Sequence, residues 1–140
     1  MGLHTHIDRD RMRQTSGVEI LDLRHFNSHH LRALLEHESR VWGQLMAWDY
    51  GSSAEMILRY IDSRILPGYA AVEGGRVGGY AFFVYEGNKG VVGDLYADQS
   101  LGMDGEAVER LLALHVIETL QQSPGIHRIE AQLLPHESAC

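Results

Sequence analysis

Cysteine is nearly absent. The single one, Cys140, excludes an internal disulfide and any CxxC or four-cysteine metal site. Proline occurs three times in 140 residues, and lysine only as Lys89 among twelve basic residues, an arginine bias read as genome composition. No apolar run approaches the roughly 18 residues that span a membrane. Residues 1–17 lack the apolar core of a secretory signal, so a cytoplasmic protein is expected. Positive charge is also short: twelve Lys and Arg against nineteen Asp and Glu leave a net charge of −7. That balance removes nucleic acid and anionic membrane from the expected partners.

What is present is ordinary globular composition, 44% hydrophobic and 22% charged, in a length suited to one domain. The first 17 residues show no periodicity and are expected to form a mobile tail, with a single domain over 18–140. Nine histidines are many for this length. His4 and His6 form one cluster, and His25, His29, His30 and His37 a second. Neither has a carboxylate or cysteine completing a ligand pattern, so no metal site is expected and the histidines are read as solvated or partly buried.

Val18 to Leu23 alternates as a short strand. Asn27 or Ser28 supplies an N-cap, and Leu31, Leu34, Leu35, Val41, Trp42 and Leu45 follow at helical spacing to about residue 46. After the aromatic break Trp48-Asp49-Tyr50, Ser52 and Glu55 have the spacing of a capping box, and a second helix runs to Pro67-Gly68. The period then changes. Strands at 69–73, 77–86 and 91–97, joined through Gly74-Gly75 and Gly87 to Gly90, form an antiparallel meander. A loop from Asp98 to Asp104 leads into a helix from Gly105 to about Gln121, and a last strand lies near 127–134. The order is β-α-α-β-β-β-α-β. This predicts an α+β domain with a mixed, mostly antiparallel sheet and helices on both faces. The last two strands should run parallel through a right-handed crossover.

Chemistry is expected at the joint between the strand at 91–97 and the helix from 105. A helix N-terminus offers unpaired N–H groups to an anion, and glycine lets backbone approach closely. Gln99-Ser100-Leu101-Gly102 punctuates that joint, and Asp94-Leu95-Tyr96-Ala97 ends the strand before it. In element order first and in these residues second, the chain from Val18 to Leu134 resembles the GNAT family of N-acetyltransferases.

The resemblance implies an acyl-CoA N-acyltransferase-like fold. It also implies transfer of an acetyl group from acetyl-CoA, as co-substrate, to an amine of a small molecule or peptide. Leu95, Tyr96 and Ala97 would then contact the pantetheine arm. Gln99, Gly102 and Gly105 would belong to the loop that cradles the pyrophosphate. Asp94 or Glu86 would act as base, Tyr96 is an available hydroxyl, and Trp48, Asp49 and Tyr50 would border the acceptor.

The loop departs from the family pattern. Asp104 stands where Gly or Ala is expected, Gly105 falls one place late, and Glu106 adds a second negative charge. The family's usual last helix and strands are also missing after the strand at 127–134. A second reading therefore stays open: a truncated or non-catalytic acetyltransferase-like domain that binds a ligand or partner. The last strand is left with an open edge, so a homodimer is possible.

Overall fold

The protein is described by a computed structural model over residues 17–46 and 50–131. Most of the proposed tail, Trp48, Asp49 and the end of the expected last strand lie outside the described residues.

Strand β1 (Glu19–Asp22) stops one residue short of the predicted Leu23. The Asp22 carboxylate accepts the Arg24 N–H at 2.8 Å, which closes a single 3₁₀ turn over Leu23–His25. Helix α1 (Ser28–Met46) is capped by Asn27, whose Oδ1 accepts the His29 N–H at 2.9 Å. Helix α2 (Gly51–Asp62) begins before Ser52, and Glu55 turns away to pair with Arg32 at 2.9 Å. The capping box read from the sequence is thus not formed.

Strands β2 (Gly68–Glu73), β3 (Arg76–Glu86) and β4 (Lys89–Ala97) make the predicted meander. Gly74 and Gly75 both take positive φ (60° and 79°), the requirement of the tight turn between β2 and β3. Helix α3 (Gly105–Gln121) and strand β5 (Arg128–Ala131) complete the fold. The five strands lie in the order β1-β2-β3-β4-β5, antiparallel except for the parallel β4–β5 pair.

The helices do cover both faces. On one, Leu31, Leu34, Leu35 and Trp42 of α1 and Ile57, Leu58 and Ile61 of α2 meet Ala70, Tyr80 and Tyr96. On the other, Val108, Leu112, Val116 and Leu120 of α3 are fully buried against Ala71, Ala81, Leu95 and Ala97. Each such aliphatic side chain contributes roughly 1.5–3 kcal/mol by leaving water. No described helix is long and apolar enough to cross a membrane.

Candidate functional site

A bulge in β4 organises the site. Phe82 pairs with Asp94 but Phe83 pairs with Val92, so Gly93 is an extra residue. The extra residue resets the alternation. Val92 and Leu95, three apart, both join the α3 face, whereas Asp94 and Tyr96 turn toward α1 and α2. Strand β5 pairs only with Lys89 to Val92, so no described strand covers that edge of β4 from Gly93 onward.

Asp94 enters a buried polar cluster. Its Oδ2 accepts the hydroxyls of Tyr80 at 2.6 Å and Tyr50 at 2.8 Å, and its Oδ1 accepts the Leu95 N–H at 2.8 Å. The Tyr80 hydroxyl also lies 2.7 Å from Oε1 of Glu38, whose Oε2 accepts the Trp42 indole N–H at 3.0 Å. Glu38 is 0% exposed, on the inner stripe of α1 four residues before Trp42.

Tyr80 has one hydroxyl proton and two carboxyl neighbours. Both contacts are hydrogen bonds only when one carboxyl carries a proton of its own. Burial, followed by the neighbouring Asp94, pushes the Glu38 carboxyl up to about 10, so Glu38 is the protonated member. Its O–H donates to Tyr80, and Tyr80 and Tyr50 donate to Asp94. Burial also raises both phenols above their ordinary range. The result is one negative charge at Asp94, held by neutral donors.

Two cavities flank the Asp94–Tyr96 stretch. The first, about 420 Å³, lies beneath α2, with Met56, Ile57, Tyr60, Phe82 and Val84 as apolar wall and Asp94, Tyr50 and Ser53 as its polar groups. Asp94, 9% exposed, is the only charged residue lining it among the described residues. The second, about 190 Å³, lies between α1 and the start of α3 and is lined by His37, Tyr96, Ala97, Gln99 and Gly105, with Asp98, Glu106 and Glu109 around them. There the Nδ1 of His37 hydrogen-bonds the Tyr96 hydroxyl.

Five backbone donors in and around the loop beyond β4 are occupied by side chains. Ala97 N–H reaches Glu109 at 3.3 Å, Ser100 N–H reaches Asp98 at 2.9 Å, and Gly102 N–H reaches Glu73 at 2.6 Å. Gly105 N–H reaches the Gln99 carbonyl at 3.3 Å, and Glu106 N–H reaches the N-cap Asp104 at 3.2 Å. From Asp98 to Glu109 the chain has no Lys or Arg. A carboxylate about 4 Å from a phosphate charge costs about 1 kcal/mol even at the dielectric of water. The loop therefore does not fit a diphosphate, while no described strand covers the edge of β4 beside the Tyr96 cleft.

The fold brings together Asp94, Leu95, Tyr96, Ala97, Gln99, Gly105 and Tyr50. Gly102 is held by Glu73 at the end of β2, with its N–H turned to that carboxylate. Glu86 sits at the hairpin end of β3, its carboxylate 3.9 Å from Lys89 Nζ, and lines neither cavity. Trp48 and Asp49 fall outside the described residues. Three participants were not among the sequence candidates: Glu38, Tyr80 and, as a partner of Tyr96, His37. Glu38 left a signal, an acid at the i+3 and i+4 positions of the apolar stripe Leu31, Leu34, Leu35 and Trp42. Among the described residues no group of His, Cys, Asp and Glu is arranged to hold a metal ion.

No protein-family model matches the sequence, and no curated protein does either. Solved structures do match in shape. A PaiA N-acetyltransferase from Thermoplasma acidophilum, in complex with coenzyme A, is 19% identical with a TM-score of 0.61, over 87% of this chain and 81% of that one. A possible acetyltransferase from Clostridium difficile 630 is 9% identical with a TM-score of 0.58, over 86% and 80%. The ribosomal-protein-alanine N-acetyltransferase from Brucella melitensis is 15% identical with a TM-score of 0.57, over 84% and 79%. With its bulged fourth strand, open strand edge and helices on both faces, this chain has the fold of the GNAT N-acetyltransferases.

Proposed function

We propose that the protein is an N-acetyltransferase that moves an acetyl group from a thioester such as acetyl-CoA to a primary amine on an apolar body. One observation carries this reading. Asp94 and Tyr96 are two residues apart on one face of β4, and each lines a different cavity at the strand's open edge. A base thus faces one compartment and a hydroxyl the other, roughly 7 Å apart along the strand.

The first cavity would take the amine. Asp94, the one carboxylate among the described residues of this apolar wall, suits a monocation carried on an aliphatic or aromatic group, and the ring of Tyr60 or Phe82 can add cation–π or stacking contact. Asp94, ionised and fixed by three donors, would accept the ammonium proton, directly or through one water. A bound acetyl thioester supplies an electrophilic carbonyl carbon and a thiolate leaving group. As the C–N bond forms and the C–S bond breaks, Tyr96 would give its hydroxyl proton to the departing sulfur, and the nitrogen's second proton would return through water to the Tyr96 oxygen. His37 Nδ1–H, donating to the phenolic oxygen, would aim the hydroxyl proton into the cleft and support the transient phenolate. The Leu95 and Ala97 N–H groups would reach the carbonyl oxygen only by leaving Asp94 and Glu109, to which they donate here.

Thiol release from acetyl-CoA, followed against a panel of phenylalkyl and alkyl monoamines, tests the assignment. Amine-dependent release is the expected result. Binding of the thioester with no release for any amine would favour the second reading, a ligand-binding module on the same fold. That reading draws its support from the side chains that occupy the loop's backbone donors.

A further inference from the structure

We propose that this chain recognises its acyl donor through the thioester and the arm that carries it, and that the diphosphate of a coenzyme A donor adds no binding. The proposal rests on the acyl-transfer reading above and concerns which part of the donor the protein holds.

The donors that a diphosphate needs are backbone N–H groups near a helix N-terminus. Here five of them are already taken by side chains of this chain. Ala97, Ser100 and Gly102 donate to Glu109, Asp98 and Glu73, and Gly105 and Glu106 donate to Gln99 and Asp104. Four of the five acceptors are acidic. An arriving diphosphate would have to displace carboxylates that are tethered beside their donors, and would then sit among the carboxylates it displaced. No Arg or Lys among the described residues lines the cleft to offset them.

Gly102 shows how closely the cradle is filled. A Cβ built there would lie 3.1 Å from Glu73 Oε1, so the carboxylate occupies the space a glycine leaves for a phosphate. Gly105 is similar: a Cβ there would lie 2.7 Å from Gln99 Nε2. The thioester end differs. There the cleft keeps Tyr96 and His37, and no described strand covers β4 beyond Val92. The nucleotide of a coenzyme A donor is therefore left in solvent.

Calorimetric titration of the full chain with acetyl-CoA, with S-acetylpantetheine and with 3′-phosphoadenosine 5′-diphosphate tests this directly. The two thioesters are expected to bind within about threefold of each other, and the nucleotide alone to give no heat at millimolar concentration. Acetyl-CoA affinity should not fall between low and high salt, because no attractive charged contact to phosphate is made. A preference for acetyl-CoA above about tenfold, or any binding of the nucleotide alone, overturns the proposal while leaving the acyl-transfer reading intact. If neither thioester binds, the acyl-transfer reading fails and this proposal with it. A triple variant, Glu73→Gln, Asp104→Asn and Glu109→Gln, keeps shape and cap while removing the charge. It should gain about tenfold or more in acetyl-CoA affinity and nothing for S-acetylpantetheine, and an equal gain for both also overturns the proposal.

Discussion

The two cavities beside Asp94 and Tyr96 share one strand, yet they treat charge in opposite ways. Among the described residues the first has one carboxylate, Asp94, surrounded by neutral donors: two phenols, a backbone N–H and, one step further, a protonated Glu38. The second gathers Asp98, Glu106 and Glu109 at a partly exposed rim and spends acidic side chains on backbone N–H groups. An isolated charge in a dry pocket acts strongly on a ligand, because little solvent screens it. Several charges at a wet rim are screened and mainly repel other anions. On the proposed reading, the first compartment would select a cation, and the second would take a neutral thioester and turn phosphate away.

The comparison breaks most sharply at Asp94. Asp94→Asn keeps the shape and removes the base, so kcat should fall by at least about a hundredfold while thioester affinity, set in the other compartment, stays unchanged. Steady-state kinetics beside calorimetry would separate the two, and undiminished turnover would remove Asp94 from the reaction. Tyr96→Phe should cost about ten- to a hundredfold in kcat, with amine KM unaffected. His37→Phe should cost less, and nothing further in a Tyr96→Phe background, since His37 acts only through that hydroxyl.

A third way to sharpen the contrast uses stability. Glu38 keeps its proton in the folded protein up to about pH 10, whereas the unfolded carboxyl loses it near its ordinary value of 4.5. The folded pKa is raised, so this group's contribution is complete below about 4.5 and is lost progressively as pH rises toward 10. By neutral pH the loss amounts to up to about 3 kcal/mol. Glu38→Gln can accept from Trp42 and donate to Tyr80 without titrating. Urea melts between pH 5 and 9 should show a falling stability for the parent and a flatter profile for the variant. Parallel profiles would show that Glu38 is not the buried acid that holds the proton.

The smallest effects should come from two glycines. A Cβ on Gly93 would meet Phe82 Cε1 at 2.2 Å, and the ring can yield only into the first cavity, so Gly93→Ala should cost about 1–2 kcal/mol and raise the amine KM. Gly102→Ala meets an exposed carboxylate that can swing away, and should stay within about 0.5 kcal/mol. Thermal melts of the two variants compare a packed compartment with a solvated one.

Much of the scaffold was legible because the signals are local. The α1 stripe, the Gly74-Gly75 turn and the meander depend on residues close to each other in the chain. Where expectation and structure part, a side chain found a different partner: Asp22 took Arg24 and ended β1 early, and Glu55 took Arg32 in place of a capping box. The site divides the same way. Asp94 and Tyr96 stand out by their place at the end of β4. Glu38 and Tyr80 acquire meaning only when α1 lies across β3 and β4, 42 residues apart in sequence. The occupation of Gly102 by Glu73 likewise spans 29 residues.

The sequence alone, then, set the order and kind of the elements and the scarcity of positive charge around the loop. These follow from periodicity, turn residues and composition, which neighbouring residues settle among themselves. Only the tertiary structure decided which acid holds a proton, which compartment each side of β4 faces, and which backbone N–H groups remain open. Those depend on desolvation and on distances between side chains from separate elements, and neither exists until the helices close over the sheet.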